Sequence, residues 1–378
     1  LSDGSLLKRD KIQMHDMELR LEEVIKGIQP TDKKWIENAR ERTAQLIMPT
    51  RALGILHDIS ERLCAIKKTL KPSINPKAIL LMAGDHGVVE EGVSAYPQEV
   101  TGEMVRTFLK GKASINAISR AMGVNVQVVD MGIIPDLGIG TMDTGEGLII
   151  RKVGRGTANL STGPAMTVSD AKKAILTGFK LATELFRRGV EILGTGDMGI
   201  GNTTPSAAIG AVFTGAGMDE VVGRGTGVDD HGLLKKRDAI CRGIEVNQPD
   251  RDNGLDVLSK IGGFEIGGIA GCVLAGAYNR RPVVIDGLIS TAGALVAQSL
   301  CPVVTDFLFA GHCSAEIGHG PMLRHLGLKP ILDLGMRLGE GTGAALAMGI
   351  MEGAVRMFNE VSTFDEAGVS TQEEKKDT

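Results

Sequence analysis

Ala78-Ile79-Leu80-Leu81-Met82-Ala83-Gly84-Asp85-His86-Gly87 is the stretch on which the fold turns. Six apolar residues without polar alternation suit a strand buried on both faces, and the change to glycine and ionisable residues suits a loop at its carboxyl end. The same texture recurs at Asn125–Gly132, Val190–Gly194, Pro282–Gly287 and Phe307–His312, with helical segments such as Ala171–Arg188 and Ala292–Leu300 between or after them. Strands alternating with helices predict an α/β fold with a mainly parallel sheet covered on both faces. Ligands of such sheets bind at the carboxyl ends of strands, so the glycine-rich loops are expected to converge on one site.

Outward from this strand, apolar residues between Asp16 and Leu70 recur at helical spacing: Leu19, Leu21, Val24 and Ile25, then Trp35, Ala39, Ala44 and Leu46, then Leu53, Leu56, Ile59 and Leu63. Asp32 suits a cap and Pro49 a break. The apolar run Gly343–Asn359 predicts a last helix that packs beside these first ones. The expected organisation is a disordered or non-native stretch over 1–15, a helical part of a small domain over 16–75, and a parallel α/β catalytic domain over 76–342. Residues 343–378 would return a helix to the small domain and end in a polar tail that frays from Glu366 onward.

Composition narrows the function. The 378 residues carry 42 basic and 46 acidic side chains, a formal charge of −4, too balanced for a protein that neutralises nucleic-acid phosphates. Aromatic residues make up 3%, which leaves few stacking platforms, so recognition must rest on aliphatic walls and backbone groups. Five scattered cysteines without a Cys-x-x-Cys pair argue against a disulfide framework or a zinc site and for a reducing cytoplasm. No apolar run has the length of a membrane span, and the amino terminus does not read as a secretory signal.

Five segments carry candidate chemistry. Met336-Arg337-Leu338-Gly339-Glu340-Gly341-Thr342-Gly343 sets a lone carboxylate between glycines at the start of an apolar helix, offering a base and free amides for an anion together. An ordinary surface turn is the plain alternative. Gly194-Thr195-Gly196-Asp197-Met198-Gly199 matches Gly-x-Gly-x-x-Gly after a strand, but no second strand ends in an acid about 20 residues on, as a dinucleotide site requires. What survives there is anion binding by the Thr203 and Thr204 hydroxyls and the amides of a helix start, with Pro205 in its first turn. His86 reads as a hydrogen-bonded structural residue before it reads as a metal ligand or base. His312 beside Cys313 is no evidence of a dyad, because sequence neighbours point apart. Lys235-Lys236-Arg237 is a solvated helix face unless one of the three reaches a phosphate. With no Walker-type loop or acidic pair, neither a metal nor a cofactor is expected.

Met82–Gly87, Glu91–Thr101, Gly199–Pro205 and Met336–Gly343 closely resemble the nicotinate-nucleotide:dimethylbenzimidazole phosphoribosyltransferase family of cobalamin biosynthesis, and Ile244–Pro249 and Gly254–Leu258 add to the match. The resemblance runs from about Trp35 to Val361. It implies a Rossmann-like larger domain, a small helical domain built from both chain ends, and a homodimer, or a heterodimer with a paralogue. It implies that nicotinate mononucleotide gives its phosphoribosyl group, with inversion, to an aromatic base: dimethylbenzimidazole or another benzimidazole, a purine or a phenol. Glu340 matches the family's catalytic base and Asp197 its support. Asn202, Thr203, Lys236, Ser314, Arg337, Gly339 and Gly341 would hold the nucleotide, while Tyr96, Met104 and Leu338 would line the acceptor pocket. The family usually carries Glu where this chain has Asp197, a side chain shorter by about 1.5 Å, one carbon–carbon step. The rival readings are a non-catalytic subunit that pairs with an active paralogue, and a dinucleotide oxidoreductase built on the glycine fingerprint.

Overall fold

The computed structural model describes residues 20–139 and 147–370, so the expectations for residues 1–15, for Leu19 and for the end of the polar tail lie outside the described residues. Lys77–Gly84 forms β1, buried along its whole length, as its unbroken apolar run requires. Val124–Gly132 (β2), Leu148–Ile150 (β3), Ile192–Met198 (β4), Val283–Ile285 (β5), Leu308–His312 (β6) and Pro330–Leu332 (β7) complete a seven-stranded sheet in the order β3-β2-β1-β4-β5-β6-β7. Every pairing is parallel. The chain builds outward from β1 on one side, then crosses back to β4 on the other, so the loops leaving these two central strands diverge. That divergence opens a crevice at their carboxyl ends.

Five strands lie where the apolar runs predict them. The two edge strands, β3 and β7, are not among those runs. The glycine fingerprint needs a larger correction. Gly194–Met198 is not a strand-to-helix turn but the body of β4, and Met82 of β1 pairs with Asp197. The following helix, Thr203–Thr214, starts one short loop later, after Asn202.

Helices cover the sheet on both faces. Phe264–Tyr278 is buried at nearly every position, wedged between β1 and the helix Val168–Arg187. The last long helix, Thr342–Glu360, lies on β4, β5 and β6 and touches Ile55–Lys67 as well. The two ends of the chain are thereby joined: Ala39, Cys64 and Phe358 form a separate buried cluster, Arg42 Nε donates to the Phe358 carbonyl at 3.2 Å, and Leu46 bridges Thr363. Asp32 caps Lys33–Gln45, accepting from the Lys34 amide as foreseen. Among the described residues no helix is long and apolar enough to cross a membrane.

Candidate active site

The crevice predicted by the strand order contains a cavity of about 600 Å³, lined from the β4 loop by Asp197, Met198, Gly199, Ile200, Asn202 and Thr203, and from the opposite side by Ser314, Arg337, Leu338, Gly339 and Glu340. Tyr96 and Met104 close it on a third side. Residues scattered over more than 240 positions of sequence meet here because each follows, or packs over, the carboxyl end of a parallel strand.

Glu340 is 5% exposed and adopts φ +63°, between Gly339 at +85° and Gly341 at +87°. A non-glycine residue rarely takes this left-handed conformation and holds it only where its surroundings fix it. Its floor is Gly196 of β4: a Cβ there would stand 2.6 Å from the Glu340 carbonyl oxygen. The glycine in the strand therefore exists for the loop lying on it. The Glu340 side chain reaches to the helix Ser114–Met122, where Oε2 accepts from the Ile115 amide at 3.1 Å. Ala113, at the cap position of that helix, has no side chain able to do this, so a carboxylate 225 positions away in sequence occupies the helix start. Burial raises the Glu340 carboxyl above its ordinary value, the Ile115 amide opposes this, and the charge of Asp286 adds to it.

The amides expected to cradle an anion at the start of Thr342–Glu360 are not free. Asp286, fully buried at the end of β5, accepts from Gly341 N at 3.2 Å with one oxygen and from Ala344 N at 3.0 Å with the other. This corrects the reading of the segment: it offers a base, but its helix start is already capped. Gly341 likewise lies beneath the site, against Ile79 and Gly196, and does not line the cavity. Asp286 stands at a strand end like Asp85, a position whose significance the apolar run before it signals.

Asp197 is buried beside Gly339. Its Oδ2 accepts from Asn202 Nδ2 at 2.9 Å, while Oδ1 has no partner. Burial and the nearby charge of Asp286 push its carboxyl up to about 8 against the pull of the Asn202 bond. In that range it carries a proton and can donate it.

Of the three consecutive cations, Lys236 is the one turned inward, 1% exposed, donating to Thr203 Oγ1 at 2.7 Å and to the Gly223 carbonyl at 3.1 Å. Burial lowers it to about 8, with the charge of Glu316 opposing the shift. Arg237 pairs with Asp219 at 2.6 Å, and Lys235 is exposed. Lys236 does not itself line the cavity; Thr203 stands between them. Thr204 is turned into the protein and does not line it either. Arg337 lines the cavity and donates to the Gly225 carbonyl at 2.9 Å.

Ser314 sits on a neutral histidine. Its amide donates to His319 Nδ1 at 2.8 Å, so the proton is on Nε2, which faces Thr291 Oγ1 at 2.8 Å. Burial holds His319 down to about 3. His86 is a structural residue as expected: fully buried, it pairs with Glu265 at 2.8 Å. Burial opposes its charge, but the carboxylates of Glu265 and Asp85 prevail and raise it. Cys313 is half-buried and burial raises its thiol, the opposite of an activated nucleophile. Among the described residues no group of three His, Cys, Asp or Glu side chains is arranged to hold a metal ion. Sequence reasoning assigned no role to Met198, Glu316 or Ile289, which also line the cavity; Met198 fills only a variable position of the glycine fingerprint, and the folded arrangement is what brings the three in.

A family profile described as phosphoribosyltransferase matches residues 28–369. A nicotinate-nucleotide–dimethylbenzimidazole phosphoribosyltransferase of Geobacter sulfurreducens is 51% identical over 350 residues, covering 93% of this chain and 98% of that protein. The enzyme of the same name from Geobacter sp. strain M21 is 49% identical over 355 residues, covering 94% and 100%. The crystal structure of CobT from Thermus thermophilus superposes with a TM-score of 0.83 at 46% identity, covering 89% of this chain and 99% of that one.

Proposed function

The chain belongs to the nicotinate-nucleotide–dimethylbenzimidazole phosphoribosyltransferase family, and on that premise we propose that Glu340 is the base with which it transfers the phosphoribosyl group of nicotinate mononucleotide, with inversion, to an aromatic acceptor. The observation that carries the reading is a buried carboxylate of raised pKa at the edge of a cavity lined by both polar and apolar side chains.

In the donor the pyridinium nitrogen is already positive, so its departure from the anomeric carbon relieves charge. The acceptor must lose a proton as it attacks from the opposite face. Glu340 Oε2 is engaged by the Ile115 amide, which leaves Oε1 to take that proton. A raised pKa makes it the stronger base, and proton transfer of this kind contributes about 10² to 10⁴ in rate. Tyr96, Met104 and Leu338 supply apolar walls for an acceptor ring, wide enough in chemistry for a benzimidazole, a purine or a phenol. Thr203, Ser314, Arg337 and Asn202 face the donor's ribose and phosphate, with Gly339 giving close access to the loop backbone. Lys236 acts on the phosphate through Thr203, and the arriving dianion favours its charged form. Asp197, protonated, supports the loop at Gly339. The dimer that the resemblance implies belongs to the same proposal, with light scattering as its readout.

The test is nicotinate release from nicotinate mononucleotide with dimethylbenzimidazole, adenine and p-cresol as separate acceptors, beside Glu340→Gln. Acceptor-dependent release that falls by about 10² to 10⁴ in the variant is the expected result. Full activity in Glu340→Gln would remove the base assignment, and an acceptor ranking would identify the preferred ring.

A further inference from the structure

We propose that Asp286 is a positioning residue for this reaction, acting through Glu340 by clamping the Gly339–Gly341 segment; the inference rests on Glu340 being the base. Three consecutive left-handed residues place the Glu340 carboxylate, and a non-glycine residue adopts that conformation only under backbone strain. Something must hold it. The turn is closed from within by Thr342, whose amide and hydroxyl both donate to the Gly339 carbonyl at 3.1 and 2.8 Å. Its far side is fixed by Asp286, which takes one amide inside the strained segment, Gly341, and a second in the first helical turn, Ala344. Both oxygens are thus used on either side of the point where the loop becomes helix.

Asp286 is fully buried and does not line the cavity, so it cannot touch the substrate and acts on Glu340 through the loop it holds, beside the charge by which it raises that carboxyl. Nor is it an ordinary cap. The residue at the cap position is Gly341, which has no side chain to offer, and the carboxylate comes instead from the end of a neighbouring strand. This ties the base to the sheet. His312 Nε2 stands 3.6 Å from Asp286 Oδ1.

An asparagine keeps one acceptor oxygen but turns an NH₂ toward the other amide, so it releases half of the clamp without changing volume. The experiment is a double-mutant cycle on the full chain: nicotinate release with dimethylbenzimidazole for the parent, Asp286→Asn, Glu340→Gln and the double variant, with kcat and KM separated. Displacing a reacting group by about 1 Å costs on the order of 10²-fold. Asp286→Asn is therefore expected to lower kcat about 10- to 100-fold while KM for nicotinate mononucleotide stays within about threefold, and to lower the residual rate of Glu340→Gln by less than about threefold. Parental kcat in Asp286→Asn, or the same loss in both backgrounds, would overturn the proposal. Parental turnover in Glu340→Gln would overturn the base assignment and this proposal with it, whereas a collapsed Glu340→Gln beside an unaffected Asp286→Asn overturns this proposal alone. If Asp286→Asn does not fold, Asp286→Ser, whose hydroxyl can still accept from one amide, carries the same cycle with the same two outcomes.

Discussion

Two stretches of this chain set an acid beside glycines: Gly194-Thr195-Gly196-Asp197 and Gly339-Glu340-Gly341. The first is strand, and none of its glycines has positive φ; the second is left-handed at every residue. In the strand, glycine is required by what lies on top of it. In the loop it is required by the backbone itself. The two requirements meet at one contact, because the atoms that would collide with a Cβ on Gly196 are the Glu340 carbonyl carbon and oxygen and the Gly341 amide nitrogen. A Gly-x-Gly pair is therefore ambiguous until its neighbour is known, and here it marks a seat for a loop rather than a cradle for a dinucleotide.

The sharpest way to break this comparison is Gly196→Ala. The strand conformation tolerates alanine, but its methyl would stand 2.6 Å from backbone that cannot rotate away. Forcing a methyl into such a contact costs about 1–3 kcal/mol, and lifting the Glu340 loop should lower kcat by about 10²-fold or more. Urea midpoints and nicotinate release read the two effects. An alanine variant with parental turnover would mean that the loop does not depend on its seat.

A second test uses the acids rather than the glycines. Burial raises Asp197 from 3.8 to about 8, so the folded protein holds a proton that the unfolded chain has released. The stability from this group is fully present below its unfolded value and is lost as pH rises through the folded one. Asp197→Asn abolishes that loss. Its stability relative to the parent should therefore improve between pH 5 and pH 8.5, by at least about 1.4 kcal/mol, the worth of one pKa unit. Urea unfolding at the two pH values decides it, and a constant difference would mean that Asp197 is ionised in the folded state throughout.

How much of this was legible beforehand follows the same division. Runs such as Ala78–Ala83 announce buried strands because a parallel sheet needs apolar residues on both faces, and Asp32 announces a cap. Glu340 is singled out by its flanking glycines, and Asn202, Thr203, Ser314 and Arg337, which line the same cavity, by the resemblance. Lys236 was ambiguous within a run of three cations, since only packing decides which of them turns inward. Asp286 was not legible as a clamp: its amides lie more than 50 positions away, and nothing local to Ile285-Asp286-Gly287 records them. The capping of Ser114–Met122 by Glu340 was hidden for the same reason.

That last contact gives the smallest of the expected effects. If Glu340 serves only chemistry, Glu340→Gln and Glu340→Ala should be equally stable. The bond from the Ile115 amide says otherwise. Glutamine keeps an oxygen where the carboxylate was and can still accept from that amide, whereas alanine leaves a helix start uncapped, because Ala113 cannot take over. Removing such a cap costs about 1 kcal/mol. Both variants should lose turnover alike, since neither can accept a proton, but only Glu340→Ala should also lose about this much stability. Equal urea midpoints for the two would reduce Glu340 to a base that merely rests near the helix. Unequal midpoints would make one side chain answerable for both the reaction and the start of the helix Ser114–Met122.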